Sequence, residues 1–133
     1  MKTRLGNHGA AGVSVAAALF GAVMFFGVLY VLYSGISDAA ARSSAVREAA
    51  NVAAVLDAVG SSPSYCKAEY MTPDKLSGKS YMLHVSGNQV IISLSSPAYN
   101  GRAIFFSRLT KNFSGAGGSN LTIIKDNNKL EVT

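Results

Sequence analysis

Few residues in this chain have the type and spacing that chemistry requires. Its two histidines, His8 and His84, stand far apart, and Cys66 is its one cysteine. A zinc site needs several nitrogen or sulfur ligands at short recurring spacings, so no metal centre is expected. Cys66 lacks a local nucleophile signature and has no partner for an intrachain disulfide. It reads as a small core residue or an exposed thiol. His84 reads as a surface histidine on the outer side of a hairpin. No Gly-x-Ser-x-Gly elbow is present, and Glu69, Asp74 and Glu131 form no recognisable carboxylate pair. The stretch Gly115-Ala116-Gly117-Gly118-Ser119 has the glycines of a phosphate-binding loop but not its Lys-Ser/Thr. It joins two β-like segments and reads as a flexible loop. No catalytic residue, cofactor or small-molecule substrate is expected.

One covalent chemistry does have its pattern. Asn112-Phe113-Ser114 and Asn120-Leu121-Thr122 both fit the Asn-x-Ser/Thr acceptor of N-glycosylation. Asn112 and Asn120 are therefore candidate modification sites.

The elements that carry these residues divide the chain in two. Every position between His8 and Asp38 is uncharged, and the run Gly9 to Ser37 reads GAAGVSVAAALFGAVMFFGVLYVLYSGIS. A helix rises about 1.5 Å per residue, so about 20 apolar residues span the hydrocarbon core, and this run exceeds that. It is apolar on every face, unlike a soluble helix. It is also longer than the apolar stretch of a secretory signal, and it ends in Tyr30, Tyr33 and Ser34, the composition of an interfacial belt. Lys2 and Arg4 precede it with no acidic neighbour, whereas Asp38, Arg42, Arg47 and Glu48 after it balance. The positive-inside rule then places the N-terminus in the cytoplasm and the C-terminal part outside. Gly12, Ser14, Gly21, Ala22 and Gly27 are among the many small residues that let helix backbones approach closely.

Asp38 to Val59 is rich in Ala and free of Gly and Pro, which favours a helix. Val46, Ala49, Ala53 and Leu56 recur at spacings of three and four, with Val52, Val55 and Val59 widening the stripe. Arg42, Arg47, Glu48 and Asp57 fall largely on other faces. The pattern predicts an amphipathic continuation of the membrane helix, with a bend at Gly35 and a stop at Gly60-Ser61-Ser62-Pro63.

Beyond Pro63 the period changes to two. Ser80–Val85 and Gln89–Leu94 flank Ser86-Gly87-Asn88, and Leu121–Lys125 and Lys129–Val132 flank Asp126-Asn127-Asn128; each reads as a β-hairpin. Ala103 to Leu109, with Ile104, Phe105 and Phe106, is expected as a buried strand, and Tyr65 to Met71 as a sixth. The fold class is thus α+β: a long N-terminal hydrophobic and amphipathic helix, then a small antiparallel β domain, sandwich-like or a curved sheet, packed on the helix end. Residues 1–12 form a basic leader-like segment, 13–60 the helix and 61–133 the β domain. The net charge of +5 is spread thinly, without the basic stripe that nucleic acid requires.

This layout resembles archaeal type IV pilins and pilin-like proteins, the class III signal peptide superfamily that includes archaellins and accessory pseudopilins. The resemblance covers the whole chain in architecture. It rests on Lys2 and Arg4 ahead of the hydrophobic run, on Gly12-Val13-Ser14 at its start, and on the Ala-rich continuation and β domain. In that family a prepilin-type peptidase cuts just before the run, so the resemblance makes Gly9 and Gly12 candidate processing positions. His8 stands where a basic residue is more usual, and the early acidic residue of bacterial pilins is missing. The resemblance implies a non-enzymatic structural surface protein that self-associates through its helix into an extracellular filament. The alternative is an uncleaved, single-pass anchored binding module, such as an envelope or motor-associated stator protein.

Overall fold

The computed structural model describes residues 7–133. Lys2 and Arg4, with the side chains of His8 and Ala10, lie outside the described residues. The fold is α+β: one helix, α1 (Asn7–Gly60), followed by seven antiparallel strands. These are β1 (Cys66–Met71), β2 (Tyr81–Ser86), β3 (Gln89–Ser95), β4 (Ala98–Ile104), β5 (Phe113–Ala116), β6 (Asn120–Asp126) and β7 (Lys129–Val132). The chain forms two compact units, Met1–Ile36 and Ser37–Thr133.

In the first unit, α1 is helical through Gly9, Gly12 and Gly35. Its large apolar side chains from Val13 to Ile36 are all 43–73% exposed. Among the described residues α1 is the one helix long and apolar enough to cross a membrane.

In the second unit, residues 37–60 of the same helix become a core element. Ala41, Ala45, Ala49, Val52, Ala53, Leu56 and Val59 are buried in one cluster with both sheets. The sheets therefore grip the side of this segment, not its end. The expected stripe is shifted: Val46 is 42% exposed, and Ala41 and Ala45 hold the buried line instead. The small side chains permit close approach. A Cβ on Gly101 of β4 would lie 2.7 Å from the carbonyl carbon of Ala45, so only glycine fits there without displacing backbone.

The four-stranded sheet has the order β4-β3-β2-β5 and the three-stranded sheet β1-β6-β7. The β2–β3 hairpin places Tyr81 opposite Leu94, Leu83 opposite Ile92 and Val85 opposite Val90, all buried. Its turn is shorter than the sequence suggests. Ser86 pairs with Gln89, leaving Gly87-Asn88, and Gly87 takes φ +59° at the position a type II′ turn reserves for glycine. The second hairpin likewise closes on Asn127-Asn128, with Asn127 at φ 54°.

Two sequence expectations are corrected. The segment Ala103–Leu109 is not a buried strand. The strand lies earlier, at Ala98–Ile104, and pairs with β3 residue for residue. Phe105 is 1% exposed, but Ile104 is 70% and Phe106 99% exposed. The apolar run concealed an alternation in which only one of three neighbours faces the core. The Gly-rich segment is not simply a loop either. Gly115 and Ala116 belong to β5, which pairs with β2, and only Gly117-Gly118 turn. Glycine is required at that turn: Gly118 has φ +80°, and a Cβ on Gly117 would meet the Tyr81 ring.

Candidate functional site

The helix surface is the first functional feature. From Val13 to Ile36 the side chains are uncharged and exposed around the whole circumference. Val23, Met24, Gly27, Val28, Val31 and Leu32 line an apolar groove whose floor is Gly27, where open space replaces a side chain. Such a groove admits the ridge of another helix, or acyl chains, but no polar side chain lines it to orient a substrate. Tyr30 and Tyr33 are exposed, and Ser34 Oγ donates to the carbonyl of Val31 at 3.0 Å, so its hydroxyl is satisfied within the helix. Gly9 and Gly12, the candidate processing positions, are both helical, and no atom of the described residues lies within 4 Å of where a Cβ would stand.

The candidate acceptors lie in the second unit. Asn112 is exposed in the coil that leads into β5, and Asn120 is exposed at the first position of β6. Ser114, the hydroxyl residue of the first acceptor, faces His84 across the β2–β5 pairing. Its Oγ lies 2.9 Å from His84 Nδ1. His84 is thus on the outer side of its hairpin, as expected, and half-buried. No carboxylate bonds to it among the described residues, so the pair fixes the hydroxyl without completing a relay. Thr122, the hydroxyl residue of the second acceptor, is locked by its backbone. It exchanges both amide–carbonyl bonds with Thr133, at 2.8 and 3.0 Å.

Cys66 and the acidic residues are not assembled into a centre. Cys66 packs half-buried against the core, and Glu69 pairs with Lys67 at 3.3 Å on the surface. Among the described residues no group of three His, Cys, Asp or Glu side chains is placed to hold a metal ion.

The polar residues that matter most structurally are ones the periodicity set aside. Glu48, expected on a solvent face, is only 6% exposed and accepts a hydrogen bond from the Tyr70 hydroxyl at 2.8 Å. Burial, reinforced by the Glu48 carboxylate, pushes the Tyr70 pKa up to about 12. Burial also raises that of Tyr81, whose hydroxyl donates to the carbonyl of Pro73 at 2.6 Å. Asp57, likewise expected to face solvent, accepts from the backbone N–H of Phe106 at 2.7 Å. Lys125 donates to the carbonyl of Gly60 at 2.7 Å and also to that of Ser62, capping the end of α1. Apart from Tyr81 and Pro73, these pairs join positions far apart in sequence, and no local spacing signals them.

Comparison with family models, curated proteins and solved structures finds no match for the chain.

Proposed function

We propose that the chain is a structural surface subunit of the type IV pilin-like kind, held by α1 in a membrane and able to assemble through that helix into an extracellular filament. One observation carries the reading: a single helix changes its surroundings along its length. One side of residues 41–59 is buried in the core of the second unit, whereas the large apolar side chains of 13–36 are exposed among the described residues. Exposed apolar surface costs roughly 25 cal/mol per Å² in water, so that segment needs lipid or other helices around it. The Gly27 groove and the small residues beside it suit replacement of lipid by neighbouring copies. The flanking charges support an extracytoplasmic position for Ser37–Thr133. The second unit would then coat the assembly.

The experiment is N-terminal sequencing of the protein from native cells, with imaging of sheared surface material. A mature terminus next to Gly9 or Gly12, on protein recovered in filaments, supports the subunit reading. An intact Met1 on protein that stays in the membrane fraction overturns it in favour of an anchored binding module.

A further inference from the structure

We propose that Asn112, and not Asn120, carries an N-linked glycan, and that this glycan covers the outer face of the four-stranded sheet. The proposal rests on the extracytoplasmic placement of the second unit argued above.

The two acceptors match the same sequence pattern, but the fold presents them differently. Asn112 lies in coil just before β5, and β5 is an edge strand bonded on one side only, to β2. No strand pairs with its other side, so a transferase taking up residues 112–114 has only the β2 pairing of Phe113 and Ser114 to displace at the sheet edge. Asn120 opens β6, the middle strand of its sheet. It pairs with Met71, and two residues on Thr122 is bonded in both directions to Thr133. Reading that acceptor in the folded domain would require unzipping the sheet.

The surroundings of the two asparagines point the same way. Asn112 lies in exposed coil directly ahead of β5, two residues before Ser114, which sits on the outer face of the four-stranded sheet. Ile91, Ser93, Met82, His84 and Ser114 run across this face, and Arg102 is its one formal charge among the described strand positions. An exposed sheet face normally carries interspersed charges that keep it solvated and apart from other sheets. A glycan, bulky and strongly hydrated, supplies that cover where charges are missing. The outer face of the three-stranded sheet has no such need, since Lys67, Glu69, Asp126, Lys129 and Glu131 are exposed on it. The chemistry is a group transfer from a polyprenyl-phosphate-linked oligosaccharide. The anomeric carbon leaves its phosphate oxygen, which departs with the bonding electron pair, and bonds to Nδ2 of Asn112. Nδ2 gives up one proton to a base of the transferase.

The test expresses the full chain in a cell whose transferase uses the Asn-x-Ser/Thr acceptor, with an Asn-Gly-Thr reporter on a flexible tail after Thr133. Glycopeptide mass spectrometry should find glycan on the reporter and on Asn112, with Asn120 bare. Asn112→Gln and Ser114→Ala should each remove the glycan at that position, and Ser114→Thr should keep it, which separates loss of the acceptor hydroxyl from loss of the His84 contact. A modified reporter with bare Asn112, or Asn120 as fully modified as Asn112, overturns the proposal while leaving the placement intact. A bare reporter overturns the placement, and the glycan with it.

Discussion

Tyr70 on β1 donates its phenolic hydrogen to Oε1 of Glu48 on α1 at 2.8 Å, which fastens the three-stranded sheet to the helix through a carboxylate that is only 6% exposed. The bond is costly to break from one side. Tyr70→Phe leaves the Glu48 carboxylate buried without that donor, and the penalty for such an orphaned group is about 1–3 kcal/mol. Urea unfolding of the full chain in detergent should show a midpoint lowered accordingly, with an unchanged slope.

The same pair sets a pH dependence. Tyr70 titrates near 10 when unfolded and at about 12 when folded, because burial and the Glu48 carboxylate disfavour the phenolate. The folded state therefore holds its proton more tightly. Its contribution is fully present below pH 10 and is lost as pH rises from 10 through 12. Melting temperature should fall across that window. Tyr70→Phe should flatten the fall in part, since Tyr81 is also raised and contributes in the same direction.

Gly101 meets the helix backbone so closely that a Cβ there would stand 2.7 Å from the carbonyl carbon of Ala45 and 2.9 Å from the amide nitrogen of Val46. Neither atom can rotate away. Gly101→Ala should destabilise the second unit by about 1–3 kcal/mol, the usual range for overpacking. Gly35→Ala, with open space around its Cβ position, should leave the unfolding of the second unit unchanged.

How far the sequence led depended on the range of the interaction. The helix, its end at Gly60 and the two hairpins were legible because composition, period and turn residues act locally. Leu83 and Ile92 announce their own pairing through the alternation on either side of Gly87. The strand β4 was not legible. Apart from Tyr99, its residues Ala98-Tyr99-Asn100-Gly101-Arg102 have little β propensity, and they form a strand because β3 pairs with them and Gly101 fits against Ala45. Glu48 was misplaced for a related reason. A carboxylate beside Ala49 reads as solvent-facing until Tyr70, brought close only by the fold, satisfies it. At the candidate sites the acceptor patterns at Asn112 and Asn120 were visible, but the difference between an edge strand and a middle strand belongs to the sheet order alone.

Lys125 supplies what α1 lacks at its own end, where the last turn contains no basic residue. Its ammonium reaches the carbonyl of Gly60, the last residue of the helix, and that of Ser62 just beyond it, and its charge complements the negative end of the helix dipole. Lys125→Met keeps the apolar stem and removes both bonds. The expected cost is about 1.5–3 kcal/mol, as for hydrogen bonds to charged groups. Hydrogen exchange should localise the effect, with faster exchange at the amides of Ser61 and Ser62, which bond back to Asp57 and Val59.

The centre of the apolar stretch of α1 is where a charge would cost most. Phe25 is 60% exposed and sits amid uncharged residues on both sides. If lipid or neighbouring helices surround it, a carboxylate there must be desolvated, at a cost of about 2.5–3.5 kcal/mol on insertion scales. Phe25→Asp should then shift the protein from the membrane to the soluble fraction, or abolish filaments, while the second unit keeps its urea midpoint. Phe25→Leu should behave as the unaltered chain. A Phe25→Asp protein that fractionates and assembles normally would mean that this surface meets water in the cell, and the membrane and assembly readings of α1 would fall together.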